Sequence, residues 1–352
     1  MSPRERYLAA LVGEMPDRIP MIIWNNKLPG GEKNDRLLEL EVLIINKSSV
    51  YKQHHTGIGI ESRFEEDVNG RKKKTIFTTP GGVLEKNEIV MPGTIWITEP
   101  LFKNSDNYEA LESLISSREY EPDHSRFTKD DSELGGQTIA RPITIRSPMQ
   151  ELIYEFMGIE AFSIEWAENR SRMIHLLDVL KEDWLKRVKI TAESPARFVV
   201  VEGNPQLSII GLERFREYYM PNIVEACEIL HRKGKIVGAH LDGDNRMLAP
   251  LVAQLPLDFI ESFTPPPECD LSISEARRCW KDKTLQVHFP SSIHLSNFDE
   301  VRSAVLDMLR QAAPGNRFIM GSMEDIPEGR EDSMVYLYEV LQENGELPIQ
   351  FK

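Results

Sequence analysis

From residue 137 onward the sequence alternates short apolar runs with amphipathic segments, mostly ten residues or longer, and this rhythm restricts the fold more than any other feature. The runs have the length of buried strands, and the segments between them have helical spacing. Parallel strands joined by helical crossovers produce such alternation. The predicted strands are Thr138–Ala140, Phe198–Val201, Ile236–His240, Leu257–Ile260, Leu285–His288 and Phe318–Met320. The predicted helices span roughly residues 147–158, 171–190, 212–233, 246–254, 271–281, 296–312 and 329–343.

The amino-terminal segment adds one helix and one strand. Ser2-Pro3-Arg4-Glu5 is a capping box with proline at the first helical position. The apolar run Ile19–Trp24 is bounded by turn residues, as expected for a buried strand. This makes seven strands, and the eighth strand of a closed barrel is not located. We predict a (β/α)8 barrel; a doubly wound open sheet is the alternative, but the GxGxxG turn of its dinucleotide-binding form is absent.

Between residues 56 and 90 the pattern changes to that of antiparallel hairpins. Asn69-Gly70 is a strong two-residue hairpin signal, and Thr79-Pro80-Gly81-Gly82 is a second turn. The sequence contains no internal repeat and no linker rich in glycine and serine. We therefore predict a single barrel domain over residues 1–352, with residues 56–90 as a hairpin excursion.

Composition restricts the partners and the compartment. A formal net charge of −14 disfavours binding to nucleic acid or to an anionic membrane. The sequence has no apolar run of eighteen residues and no signal-peptide pattern, so we expect a cytoplasmic protein. The 3 cysteines fall in no CxxC pair, which argues against a disulfide framework or a thiolate zinc cluster.

Polar side chains occur where the predicted strands end, which is where a parallel barrel carries its reactive groups. They include carboxylates at Glu202, Asp242, Glu261 and Glu324, and imidazoles at His240 and His288. Carboxylates and neutral imidazoles bind divalent metals or act in acid–base chemistry. His240 is the leading catalytic candidate, because it directly follows a buried strand and precedes a loop rich in glycine and aspartate. A histidine hydrogen-bonded to a neighbouring loop is the alternative.

Other candidate site residues also have alternative roles. Glu202 follows the most apolar strand, where an idle carboxylate would be costly to bury, so we predict a catalytic or metal-binding role. Asp242 is a metal ligand or caps the following helix, and Glu217 is a ligand or lies on a solvated helix face. The predicted substrate-binding residues are Trp24, Asn204, His288 and Glu324. The alternative is core packing for Trp24 and a structural hydrogen bond for His288.

Several short motifs, in this order and spacing, resemble the uroporphyrinogen decarboxylase superfamily, and more closely its corrinoid-dependent methyltransferase branch. The resemblance covers nearly the whole chain and implies a (β/α)8 barrel. The motifs are Ser2–Arg6 through Pro16–Pro20, Gly211–Phe215 to Pro221, His240-Leu241-Asp242-Gly243, Pro265-Pro266-Pro267 and Gly321–Pro327.

Departures from the family patterns narrow what the resemblance implies. The arginine-rich segment of the decarboxylases is replaced here by Trp24–Pro29. The thiol-activating methyltransferases bind zinc through His-x-Cys and a distant cysteine, whereas this chain has His240 with Asp242, and Gly321-Ser322 at the later position. The remaining resemblance is to the methyltransferases that demethylate methyl ethers, often methoxylated aromatics. Carried over, their zinc ligands would be Glu202, Glu217 and His240.

The leading functional hypothesis is therefore a zinc-dependent methyltransferase that moves a methyl group from a methoxylated small molecule to a small corrinoid protein. The sequence has no Asp-x-His-x-x-Gly cobalamin signature, which favours a corrinoid carried by a partner. Two alternatives are a decarboxylase of the same superfamily acting on another substrate, and a non-catalytic binding barrel.

Overall fold

The computed structural model describes residues 1–68, 70–91 and 94–350. Within these residues the strands alternate with helices along most of the chain. The strands are β1 (Met21–Trp24), β2 (Leu43–Ser48), β3 (Tyr51–His55), β4 (Gly59–Asp67), β5 (Gly70–Thr79), β6 (Gly82–Met91), β7 (Thr94–Glu99), β8 (Arg118–Pro122), β9 (Thr138–Pro142), β10 (Phe198–Val200), β11 (Ile236–His240), β12 (Phe259–Phe263), β13 (Thr284–His288) and β14 (Phe318–Ser322).

Helices are found in every predicted amphipathic segment. The α-helices are α1 (Pro3–Leu11), α2 (Glu32–Glu39), α3 (Tyr108–Ser116), α4 (Ser125–Ser132), α5 (Pro148–Glu151), α6 (Gly158–Glu168), α7 (Arg170–Ala192), α8 (Leu207–Arg214), α9 (Met220–His231), α10 (Ala249–Val252), α11 (Ile273–Cys279), α12 (Phe298–Ala312) and α13 (Glu331–Asn344). Of these, α2, α3, α4 and α6 were not predicted. Two π-helical turns, Leu152–Met157 and Phe215–Tyr219, interrupt the predicted helices 147–158 and 212–233. No described helix combines the length and the apolar character needed to cross a bilayer.

Eight strands form one parallel sheet in the order β10-β11-β12-β13-β14-β1-β2-β9. Its two end strands, β9 and β10, lie beside each other, so the sheet is a nearly closed barrel with helices between its strands. This confirms the predicted (β/α)8 fold. The barrel belongs to a compact unit made of Met1–Val50, Asp123–Thr144 and the chain from Thr191 onward.

The second compact unit comprises Tyr51–Pro122 and Ile145–Ile190. It contains the antiparallel pair β3–β8 and the antiparallel four-stranded sheet β4-β5-β6-β7, which includes the predicted hairpin region. Asn69, half of the hairpin signal, lies outside the described residues. The prediction of a single domain with a hairpin excursion stays a prediction.

The amino-terminal helix α1 packs into the barrel core. Ser2 caps it through the predicted capping box. Tyr7, which is fully buried, stacks edge-on against Phe198 at 5.4 Å, and its hydroxyl donates to Gln286 Oε1 at 3.0 Å. Thr284 Oγ1, at the start of β13, donates to the Ala10 carbonyl at 2.7 Å. Because Thr284 begins its strand, α1 covers the amino-terminal end of the barrel, opposite the strand ends that carry the polar residues.

The eighth barrel strand, β2, is the one that sequence analysis did not locate. It follows α2 through Glu41, whose φ of 59° is left-handed. Glycine normally occupies such a position after a helix, so the sequence lacks the usual signal that a helix has ended. The apolar run Val42–Ile45 is itself short and is followed by the polar side chains of Asn46 and Lys47.

Gly238, in the middle of β11, leaves room for an aromatic ring in the barrel interior. It pairs with Phe259 on β12, and a Cβ at Gly238 would lie 2.5 Å from that ring. We expect Gly238→Ala to lower the free energy of unfolding by about 2–3 kcal/mol through overpacking. In a Phe259→Leu background the same substitution should cost at least about 1 kcal/mol less, because the two sites are in contact.

Urea unfolding of the four proteins of this double-mutant cycle measures the effect. Gly30→Ala is the control, since a Cβ there meets no atom within 4 Å, and it should change stability by less than about 0.5 kcal/mol. Equal costs of Gly238→Ala in both backgrounds would contradict the packing argument.

Candidate active site

The site begins with two strands that bring an imidazole and a carboxylate face to face. His240 is the last residue of β11, and in the β11–β12 register it lies directly opposite Glu261. Residues in register on neighbouring strands point to the same side of the sheet. The His240 Nδ1 and Glu261 Oε2 atoms are 2.9 Å apart. β12 has a register shift here, and Ser262 adopts a left-handed φ of 56°, so the backbone is irregular immediately after Glu261.

Glu261 is completely buried, and its charge is balanced inside the barrel. Arg141, at the end of β9, donates from Nη2 to Glu261 Oε2 at 2.9 Å and is also buried. Burial alone would raise the pKa of Glu261, but Arg141 and then His240 hold it below its usual range. Glu261 therefore stays ionised and fixes the His240 ring through Nδ1, leaving Nε2 directed to the other side.

Two further carboxylates lie close to His240, one of them on its Nε2 side. Asp242 Oδ2 is 3.1 Å from Nε2. Donor atoms of His240, Asp242 and Glu324 all lie within 4.8 Å of one another, and the three side chains are half-buried. Asp242 Oδ1 is buried and has no hydrogen-bond partner among the described residues. Glu324 follows β14, so its position at this rim follows from the barrel topology.

The electrostatics of this group are those of a site that attracts a cation. Burial alone would lower the pKa of His240, but its hydrogen bonds to Asp242 and Glu261 outweigh burial and raise the pKa to about 9. Burial, followed by repulsion from Asp242, raises the pKa of Glu324. Imidazole nitrogen and carboxylate oxygen are the non-thiolate donors preferred by zinc, and a carboxylate on the second histidine nitrogen is the usual support for a histidine ligand. The residues present therefore fit a divalent metal.

Glu202 and Glu217, the glutamate ligands that the resemblance implies, do not belong to the group of His240, Asp242 and Glu324. Glu202 is fully buried beside His240: its backbone carbonyl accepts from the His240 N–H at 2.9 Å, and Oε1 accepts from the Gly203 N–H at 2.9 Å. Glu217 lies in the π-helical turn after α8 and is exposed. Among the described residues neither carboxylate joins the set within 4.8 Å. Their assignment as ligands stays a prediction.

The remaining predicted substrate-binding residues lie around the same rim. Asn204 is half-buried and lies close to the loop after His240, since a Cβ at Gly243 would meet Asn204 Oδ1 at 3.0 Å. His288 is fully buried: Nδ1 accepts from the Met323 N–H at 3.0 Å, and Nε2 lies 3.3 Å from Ser291 Oγ. Burial, followed by the nearby His294 ring, lowers the pKa of His288 to about 3, so this ring is neutral.

Trp24 is 1% exposed and lies beneath two cations, Lys47 and Arg141. Sequence analysis assigned no role to either cation. Arg141 directly follows the predicted strand Thr138–Ala140, but its link to Glu261 depends on residues 120 positions apart in sequence. Lys47 was missed together with β2, although the alternation Leu43, Ile45, Lys47 would have placed it on the inward face. Both residues belong to the charge pattern of the site.

No protein-family model and no curated protein matches the chain. Among solved structures, the fold is similar to that of a methyltransferase from Methanosarcina mazei, with a TM-score of 0.61 and 11% sequence identity. The similarity covers 97% of this chain and 99% of the other. At this identity the similarity shows a shared fold, and it extends over the barrel and the inserted segments alike.

The raised pKa of His240 predicts a pH dependence of stability in metal-free protein. A group whose pKa is higher in the folded state stabilises the fold fully below its unfolded pKa of about 6.5. That contribution is lost as the pH rises through about 9. The stability difference between the wild type and His240→Gln should therefore decrease between pH 6.5 and 9, by up to about 3 kcal/mol.

Chemical denaturation of both proteins in EDTA, at half-unit steps of pH, measures this difference. His231→Gln serves as the control, because His231 also pairs with a carboxylate but lies at the protein surface. A difference between wild type and His240→Gln that is constant with pH would show that His240 is neutral in the folded protein.

Proposed function

We propose that this chain is a metal-dependent methyltransferase that moves a methyl group from a methoxylated small molecule, in particular an aromatic methyl ether, to a corrinoid protein. The observation that carries the proposal is the group of His240 Nε2, Asp242 and Glu324 at the carboxyl ends of the barrel strands, without a thiolate. Support also comes from the sequence resemblance described above and from the shared fold with a protein named as a methyltransferase.

The metal we propose is zinc, held by His240, Asp242 and Glu324. When bound, zinc supplies a Lewis acid that stabilises the negative charge developing on the departing ether oxygen. The absence of a cysteine from the donor set favours this use over thiol activation. Asp242 and Glu324 are two carboxylates at close range with a raised pKa at Glu324, so a divalent cation would relieve their repulsion.

The protein's own residues organise the site around that chemistry. Glu261 holds the His240 ring and stays ionised because Arg141 balances its charge. In the proposed transfer the electron pair of the C–O bond remains on the departing oxygen, and the methyl group passes to the nucleophile that the corrinoid protein presents. The carboxyl-terminal rim of the barrel carries the site, so the partner would dock there.

The zinc content of single variants tests the ligand set. We expect His240→Ala, Asp242→Asn and Glu324→Gln each to reduce bound zinc well below one ion per chain, because three protein ligands are few enough that each is needed. Glu217→Gln is the matched control and should retain zinc, since Glu217 is exposed and outside the donor group. Metal analysis of untagged protein is the measurement. Loss of zinc in Glu217→Gln but not in Glu324→Gln would favour the ligand set implied by the resemblance.

The buried carboxylate behind His240 gives a second test. Glu261→Gln removes the charge that orients the imidazole, and supporting residues of this kind typically change metal affinity by about 10–100-fold. We expect zinc affinity, measured by competition with a chelator, to fall by that factor. Glu275→Gln, which removes a surface carboxylate paired with Arg246, should leave it unchanged. Equal affinities in the Glu261 variant and wild type would contradict the supporting role.

The activity itself is tested with a reduced corrinoid protein and a panel of methoxylated compounds. Methylation of cobalt changes the visible spectrum, and we expect it to depend on zinc and to fall by about 100-fold or more in His240→Ala. Release of carbon dioxide from a carboxylic acid substrate without any corrinoid protein would instead identify a decarboxylase.

A further inference from the structure

Lys47 lies on the inner side of the barrel, near enough to Glu324 of the proposed metal group for their charges to interact. The side chains of Leu43 and Ile45 belong to the interior core cluster, and Lys47 is the next residue on the same face of β2. It is in register with Arg141 on β9. Its Nζ atom lies 3.9 Å from the centroid of the Trp24 ring, and Arg141 Cζ lies 4.9 Å from the same centroid.

The charges of the two cations are balanced differently. Arg141 is buried and donates to Glu261, to the Pro142 carbonyl and to Thr144 Oγ1. Lys47 Nζ has no carboxylate within 4 Å and no hydrogen bond among the described residues, and its side chain is open to solvent. Lys27, also near this rim, is paired with Asp325. Lys47 is therefore an available cation at the mouth of the barrel.

The surroundings of Lys47 favour binding of an anion. Lys47 is exposed, but nearby protein atoms partly desolvate its amine; this desolvation, followed by repulsion from Arg141, lowers the pKa of the amine to about 8. An anion placed beside the amine would relieve that repulsion. Lys47 and Glu324 lie near enough for their charges to interact. A ligand group bound to Lys47 would thus belong to a molecule that also approaches the proposed metal.

We propose that Lys47, positioned over Trp24, binds a carboxylate of the methyl donor, so that this protein selects methyl ethers that carry an acidic group. The inference rests on the proposed function for the identity of the ligand as a methyl donor. A single ammonium acts as a point charge, which suits a monoanionic carboxylate, whereas bidentate recognition of phosphate uses the planar guanidinium fork of arginine. The net charge of −14 would repel an acidic donor elsewhere on the protein, so a local cation is needed to hold it.

The test compares two probes that differ in charge, 4-methoxybenzoate and its neutral analogue 4-methoxybenzamide. Binding to zinc-supplemented protein is measured by calorimetry without any corrinoid protein. We expect the wild type to bind the benzoate at least about 10-fold more tightly than the amide, as for a hydrogen bond to a charged group. Lys47→Met should lose that preference and bind the amide as the wild type does. Lys33→Met, which removes a surface lysine paired with Asp332, should retain it.

We expect Lys47→Met to fold, because the side chain is exposed and the amine makes no hydrogen bond among the described residues. An unchanged affinity for the amide verifies that the variant is folded. Lys47→Arg should recover part of the preference. Unchanged benzoate binding in Lys47→Met would overturn the inference, as would a wild type that binds neither probe at millimolar concentration.

Two outcomes distinguish failure of this inference from failure of the proposed function. Lysine-dependent binding of the benzoate without methyl transfer to any corrinoid protein would preserve the anion site and reject the methyltransferase. Methyl transfer from neutral ethers at the same rate in wild type and Lys47→Met, without discrimination between acid and amide, would preserve the methyltransferase and reject the anion site.

Discussion

The hydrogen-bonded chain from Arg141 through Glu261 to His240 is the interaction on which the site depends. A carboxylate with no exposed surface is unfavourable unless its charge is compensated, and here Arg141 on β9 compensates it inside the barrel. The same carboxylate accepts from the imidazole, so one buried ion pair determines which nitrogen of His240 is directed toward Asp242. Removing either partner would leave a poorly compensated charge in the barrel interior, and removing Glu261 would also release the imidazole.

In this barrel the residues that stabilise the fold and the residues that form the site lie at different levels along the barrel axis. Near α1 the inward side chains are apolar or aromatic, as at Phe198 and Phe259, and they fill the interior. Two residues beyond the last apolar inward position, β2 carries Lys47 and β12 carries Glu261. Since side chains alternate at every residue, the same strands carry both layers without a change of backbone path. The charged layer is supported from below by a packed core, which restricts the movement of the groups that would hold a ligand.

Much of this fold could be predicted from sequence, because most of the barrel strands are short apolar runs bounded by turn residues. β2 could not, since the turn before it uses Glu41 in a left-handed conformation where glycine would have marked the end of the helix. The rim position of Glu324 could be predicted, because Glu324 follows a predicted strand. Its proximity to Asp242 was not, because it depends on the geometry of loops from two different strands.

Glu202 and Glu217 show a different limit of prediction from sequence. Glu217 was assigned to a helix, and the structure places it in the π-helical turn Phe215–Tyr219, which no periodicity in the sequence signals. For Glu202 the sequence correctly indicated a buried strand end. The pairing of His240 with Glu261 also lay beyond sequence analysis, because it requires the register between two strands whose partners are 21 residues apart.

The seal that α1 forms at the amino-terminal end would affect the order of binding in the proposed reaction, which has one small participant and one large one. With Tyr7 and its aromatic neighbours filling that end, the methyl donor of the proposed reaction would reach the interior through the charged rim. A protein that docks on this rim occupies the same passage. Small-molecule entry would then precede docking, and departure of the demethylated product would follow undocking. The position of one helix at the far end of the barrel would thus impose a compulsory order on both participants.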